Sequence, residues 1–308
     1  MLRLPRLVLF ALLTVYIVWG STYFAIHVAL ASFPPFLLMG TRFLVAGTLL
    51  FGWLKWRGVK NPTLKQWRDA SVIGILLMGG GMGLTAVAEQ YVSSGLTAVF
   101  IACSPMILSL CVGMFGDWPN KREWTGILGG FVGAVLLASS GDFSAQPVGI
   151  VALLGAVFCW DIGSVLSQRK LSVAPGAMGF ASEMLTGGVF LGIVALLKGE
   201  SFSAQMTTPA LLAWAYLVVA GSLLAFTAYM YLLTAVPPAL ASSYAYVNPV
   251  IAVSLGVLLG DEKIGAREVL AMGIILGSVL LLTMSRARSA PLKLKEAVQV
   301  PDIEKRAA

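Results

Sequence analysis

The sequence is poor in charge: Asp, Glu, Lys and Arg make up only 11% of its 308 residues, against 58% that are hydrophobic. So little polar surface excludes two ordinary soluble domains, which the length would otherwise suggest. There is one histidine, His27, which cannot make a histidine metal cluster, and no serine-histidine-acid constellation is apparent. It reads as an interfacial residue at the outer end of an apolar run. The three cysteines, Cys103, Cys111 and Cys159, have no metal or redox spacing and read as small packing residues. Gly79-Gly80-Gly81 and Gly83 lack the preceding strand and the following Lys-Ser/Thr of a phosphate-binding loop. They imply close helix packing or a hinge, and no cofactor is expected.

What the chain does have is long apolar runs. About 20 mostly apolar residues cross roughly 30 Å of hydrocarbon as a helix, and ten such runs occur. They lie near Leu7 to Ala29, Pro34 to Leu54, Asp69 to Ala88, Val92 to Phe115, Glu123 to Ser140, Pro147 to Leu166, Met178 to Leu197, Pro209 to Tyr231, Pro237 to Leu259 and Ala266 to Ser285. The fold class expected is an all-α membrane protein of ten transmembrane helices, with no room for a soluble catalytic domain. A signal peptide is the competing reading of the first run, but that run continues to Ala29 without an A-x-A cleavage pattern.

The net charge of +7 could suggest nucleic acid, yet the basic residues follow topology. With a cytoplasmic N terminus, alternate connections place all 21 Lys and Arg residues inside except Lys198, Lys263, Arg267 and the intramembrane Arg42. The positive-inside rule therefore puts both termini in the cytoplasm. A basic tail over residues 286–308, read as disordered, has anionic lipid headgroups as a further partner.

The chain also repeats itself. At an offset of 144 residues Pro105 meets Pro249, Gly116-Asp117 meets Gly260-Asp261, and Gly129, Gly133 and Val135-Leu136-Leu137 meet Gly273, Gly277 and Val279-Leu280-Leu281. At 141 residues Trp19 meets Trp160, Pro34 meets Pro175, Leu44 meets Leu185 and Gly47 meets Gly188. Residues 1–141 and 142–285 thus form two five-helix copies. Five is odd, so the second copy enters the membrane inverted, an architecture that in secondary transporters holds substrate near the midplane.

Several residues could serve such a site. Pro105 and Pro249 sit mid-run, where each removes a backbone donor and kinks the helix; a mere packing kink is the alternative. Trp19 with Tyr23, and Trp160 with Ser164, share helical faces and could wall a substrate cavity, or simply fill the bundle. Ser242 and Tyr246 could hydrogen-bond a substrate or neighbouring helices. Four ionisable residues, Arg42, Glu89, Asp161 and Glu183, lie within runs and should be paired or face water. If Asp161 and Glu183 approach, a shared proton would suit proton-coupled export; a structural polar contact is the other reading.

The WGSTYF segment of the first run, ALASSYAYVNPVIAVSLGVLLGDE in the ninth and a Gly-rich last helix resemble the EamA-type drug/metabolite transporters. The likeness is closest to the YedA-type bacterial inner-membrane exporters and extends to about Ser285. The family's usual Gly-Glu after the fourth and ninth spans stands as Gly260-Asp261-Glu262 in one copy and Gly116-Asp117-Trp118 in the other, so that acid has no counterpart in the first half. The resemblance implies export of amino acids, aromatic ones among them, or of toxic organic compounds by alternating access. A lipid-linked-substrate flippase or channel is the nearest rival, and a polytopic membrane enzyme a more distant one.

Overall fold

The computed structural model describes residues 5–114, 116, 118–139, 147–203, 205–236, 240 and 243–289. Among these residues no strand occurs, and the apolar runs form ten helical rods. In chain order they are α1 (Arg6–Leu30), α2 (Pro35–Trp56), α3 (Leu64–Ala88), α4 (Ser94–Gly113), α5 (Lys121–Ala138), α6 (Pro147–Arg169), α7 (Ala177–Leu197), α8 (Thr208–Leu232), α9 (Tyr244–Leu259) and α10 (Ala266–Ser289). Seven of them, α1 to α4 and α6 to α8, are long and apolar enough to cross a membrane. By contrast α9 is apolar but has only 16 residues, α5 opens on Lys121, Arg122 and Glu123, and α10 carries Arg267 and Glu268 in its first turn.

Local chemistry starts the helices where composition alone could not. Thr63 and Gln66 cap α3 reciprocally, the Gln66 amide donating to Thr63 Oγ1 at 3.3 Å and the Thr63 amide to Gln66 Oε1 at 2.8 Å. Asn120 and Glu123 do the same for α5. The N-terminus of α2 is satisfied from far away. Gly199, at φ +68°, reverses the chain after α7, and Glu200 then accepts from the Phe36 and Leu37 amides at 3.4 and 2.8 Å.

Three rods contain a π-helical turn: Val15–Trp19 in α1, Ile75–Met82 in α3 and Leu217–Leu224 in α8. A wider turn re-aims side chains and loosens carbonyls, and such turns gather at functional sites. Another interruption is α4, which pauses at Ala102 and Cys103 and restarts at Ser104 with Pro105 in its first turn. Pro249, its counterpart, lies inside the continuous helix α9.

The longest helix seam joins α2 to α7. Gly47 faces Leu185, with 3.1 Å from its Cβ position to Leu185 Cγ, and Gly188 faces the Leu44 backbone at 2.9 Å. Each glycine admits the leucine that corresponds to its counterpart's neighbour, so the seam is self-complementary under the 141-residue offset. The other long seam joins α5 to α10 through Gly129 against Ser278 and Gly133 against Ile275. Away from the seams, Val148, Val151, Phe158 and Ile162 form an exposed stripe along α6, and Leu128, Phe131, Val132 and Val135 another along α5. In water such stripes would drive aggregation; in a bilayer they are the solvent-facing surface.

Candidate substrate site

Trp19 ends the π turn of α1 and projects toward α8 and α9. Its ring lies 5.1 Å from Tyr229 and 5.0 Å from Tyr244, and those two tyrosines are 5.6 Å apart, edge to face. All three residues are part-buried and together form an aromatic cluster. Trp19 Nε1 donates to the Gly221 carbonyl, 3.2 Å away in the π turn of α8. Trp160 occupies the related position in the second copy, over the Cβ position of Gly81 in the π turn of α3, with Cε3 at 3.0 Å. Each tryptophan therefore rests on a glycine in an expanded turn of the other copy.

The tyrosine wall continues into charged groups. Tyr244 is within electrostatic reach of Tyr23 and Asp161, and Tyr23 within reach of Glu89. Asp161 is fully buried. Its Oδ1 accepts from Ser104 Oγ at 2.6 Å, at the break in α4, while Oδ2 has no partner among the described residues. Asn248 holds the place related to Ser104. With its amide oriented to satisfy both neighbours, it donates to the Tyr16 and Tyr244 carbonyls at 3.2 Å. A polar side chain thus precedes each of the two related prolines and ties its helix to a neighbouring one.

Arg42 is buried on α2. Its Nε donates to Ser222 Oγ at 2.9 Å in the same expanded turn that receives Trp19, and its guanidinium lies 5.0 Å from the Phe43 ring. No carboxylate pairs with it among the described residues. An unbalanced buried cation costs a few kcal/mol or more, which marks its surroundings as a place for an anionic group.

The other expected residues are differently placed. The Tyr246 hydroxyl donates to the Val279 carbonyl of α10 at 3.0 Å, and Ser164 Oγ donates back to the Trp160 carbonyl at 2.7 Å. Ser242 lies outside the described residues. Glu183 is buried where its backbone presses against Gly74, and no hydrogen bond or ion pair joins it to Asp161 among the described residues. The glycine run in α3 admits close packing: Gly79 lies under Phe190, Gly80 under Cys159 and Gly83 under Leu191. His27 is exposed. Tyr229 and Tyr244 were not anticipated, although Tyr244 lies in the SSYAYVNP segment two residues before Tyr246, and only its phase around α9 selects it.

A polar and aromatic centre built at helix interruptions inside a multi-pass bundle is the organisation of a membrane transporter. The EamA-like transporter family model matches twice, over residues 6–139 and 147–284, and the chain belongs to that family. The chain is 43% identical over 277 residues to the "Uncharacterized inner membrane transporter YedA" of Escherichia coli K12, with 90% of each chain covered. It is 25% identical over 291 residues to "Protein PecM" of Dickeya dadantii, covering 91% of this chain and 95% of that one. A solved crystal structure at 20% identity shares the fold, with a TM-score of 0.63 over 91% of this chain and 99% of its own.

Proposed function

We propose that this protein is a secondary active transporter that exports small metabolites or toxic organic compounds, amino acids with aromatic side chains among them, by alternating access. The observation that carries the reading is the wall of Trp19, Tyr229 and Tyr244, drawn from three helices of both copies. Aromatic faces at these distances stack on a planar or cationic substrate group. Arg42 supplies a positive charge for a carboxylate near the same turn of α8, and Asp161 with Tyr23 supplies hydrogen-bonding groups on the facing side. Trp160 and Ser164, with Tyr246, are assigned to the related face of the second copy, and Ser242, outside the described residues, is assigned there from the sequence alone.

Alternating access is supported by closure at one end, where α1 packs against the first half of α4; the related stretch of the second copy, residues 238–245, lies partly outside the described residues. The self-complementary α2–α7 seam supports two inverted copies, residues 1–141 and 142–285, with ten membrane crossings between them. The distribution of Lys and Arg supports cytoplasmic termini in a bacterial inner membrane; residues 286–289 of the basic tail, expected to be disordered, instead continue α10, and the remainder lies outside the described residues, with lipid headgroups as the proposed partner.

The test is uptake of labelled amino acids into proteoliposomes, with and without a pH gradient. Wild-type uptake lost in Trp19→Ala supports the reading, as does loss of carboxylate-bearing but not amine-only substrates in Arg42→Gln. Scrambling of labelled lipid without solute flux would establish the flippase instead, and non-saturable flux the channel. Uptake indifferent to the gradient removes proton coupling through Asp161 or Glu183.

A further inference from the structure

Where α3 ends and α4 begins, two carboxylates are provided for very unequally. Glu262, in the loop between α9 and α10, is saturated. It accepts from the Ser94 amide at 2.8 Å, Ser94 Oγ at 2.6 Å and the Gly95 amide at 3.1 Å. Asp261, at φ +51°, turns the chain so that Glu262 points back along α9, and any side chain at Gly256 or Gly95 would run into its carboxylate. Glu89, the residue directly after α3, is only 2% exposed, and neither of its carboxylate oxygens has a hydrogen-bond partner among the described residues. Thr97 Oγ1, fully buried on α4, also lacks one.

The groups around Glu89 do not supply what an anion needs. Glu262, itself an acid, and Tyr23 on α1 are within electrostatic reach. Arg42 on α2 is engaged with Ser222, and Asp161 on α6 with Ser104. His27 on α1, Tyr91 and Lys263 are exposed, and α4 has no titratable side chain from Ser94 to Ile101. An ionised carboxylate left here would cost several kcal/mol, whereas a neutral carboxyl forgoes hydrogen bonds worth about 1–3 kcal/mol. The packing of α1 on α4 therefore accommodates the acid form of Glu89.

We propose that Glu89 is a proton-binding gate: its carboxylate takes a proton from the adjoining water before α1 and α4 close, and returns it to that water when they open. This rests on the alternating-access reading and adds to it the ligand that controls one end. Ions other than the proton are poorly suited, because Glu262 is spent on α4 and offers no second free carboxylate.

The experiment uses the full-length protein with its native cysteines replaced and Ala98→Cys, buried on α4, as reporter. Its maleimide labelling rate is divided by that of an exposed reference, Leu64→Cys, to remove thiol ionisation. Opening releases one proton, so the ratio should rise with pH by up to about tenfold per pH unit. With Glu89→Gln it should be low and flat; Glu89→Asp should restore the slope, which a purely structural role would not require. In wild-type protein at neutral pH, infrared spectroscopy should show a buried protonated carboxyl band that Glu89→Gln reduces. A flat wild-type ratio, a slope surviving in Glu89→Gln, or a band absent from wild type or unchanged by that substitution would each overturn the proposal. Neither readout uses a substrate, so an absence of solute flux would count against transport alone.

Discussion

Replacing Glu262 by alanine should open the end of the bundle that its carboxylate holds shut. The carboxylate ties the loop after α9 to the first turn of α4 through the Ser94 amide, Ser94 hydroxyl and Gly95 amide. Hydrogen bonds to a charged group contribute about 1.5–3 kcal/mol each when buried, but Glu262 is part-exposed and water replaces some of that on opening. We take about 2 kcal/mol for the three together, since partly solvated ionic contacts fall well below buried ones. At 1.4 kcal/mol per factor of ten, that shifts the closed-to-open ratio by roughly 30-fold. Ala98→Cys is again the reporter, because Ala98 is buried at 1% exposure one turn beyond the contact. When opening limits access, labelling should accelerate by about the same factor. Glu262→Gln, which retains one acceptor oxygen without charge, should fall between. Labelling within about threefold of the parent, in a Glu262→Ala protein that remains folded and monodisperse, would refute the latch, because loss of the three bonds would then have cost under about 0.7 kcal/mol.

Two further outcomes test the seam and the aromatic wall. Gly188→Leu places a side chain against the Leu44 backbone, 2.9 Å from the Cβ position; overpacking of this kind costs about 1–3 kcal/mol, so Tm in detergent should fall by several degrees, and an unchanged Tm would mean that the α2–α7 seam can spread. Trp19→Phe keeps the ring contacts but deletes the bond to the Gly221 carbonyl, a loss of about 1 kcal/mol, so KM for an aromatic amino acid should rise about fivefold, with a larger rise in Trp19→Ala.

The helices were legible because each depends on a run of apolar residues and on punctuation by Pro, Gly and polar caps. Their ends in the structure fall within a few residues of the runs read from the sequence; the start of the ninth run, from Pro237, lies largely outside the described residues, and α9 is described from Tyr244. The π turns in α1, α3 and α8 were not legible, since an expanded turn has no composition of its own; the glycines of α3 pointed to close packing or a hinge, not to a π turn. Trp19 was identifiable from its counterpart, yet the repeat could not reveal that its partners are Tyr229 and Tyr244. Partners are set by helix rotation, and one hundred degrees per residue separates Tyr244 at the wall from Tyr246, which bonds Val279 on α10. Asp161 and Glu183 were to share a proton only if they approached; α6 and α7 both pack on α3, but α6 also lies on α4 and α7 on α2, and no hydrogen bond or ion pair joins the two acids among the described residues. Glu89 stood out only as an ionisable residue near a helix end; that both its oxygens lack donors depends on side chains distant in the chain.

The same latch cannot form at the opposite end, and the reason is written in four positions. At the 144-residue offset the counterparts of Ser94, Gly95, Gly256 and Glu262 are Pro238, Ala239, Val112 and Trp118. Proline has neither the amide nor the hydroxyl that Ser94 supplies, tryptophan has no carboxylate acceptor, and alanine and valine carry the side-chain atoms that the glycines lack. Two copies related by inversion would otherwise close their ends with similar free energies, so this divergence favours the conformation closed at Glu262 by the worth of the missing bonds, about 2 kcal/mol as estimated for the latch. If the Glu262 end faces away from the cytoplasm, as the basic residues suggest, the resting protein is open to the cytoplasm and loads solute there, which suits an exporter. The bias can be removed by construction. Combining Trp118→Glu with Pro238→Ser, Ala239→Gly and Val112→Gly rebuilds the donors, the acceptor and the space. The competing conformation should then gain stability, and labelling of Ala98→Cys should rise by about an order of magnitude, as expected for a gain of about 1.4 kcal/mol or more. Trp118→Glu alone adds an acceptor that meets at most the Ala239 amide, one donor of three, and should leave labelling near its starting rate. Equal labelling in the single and the fourfold variants would show that the asymmetry of the two ends has another origin.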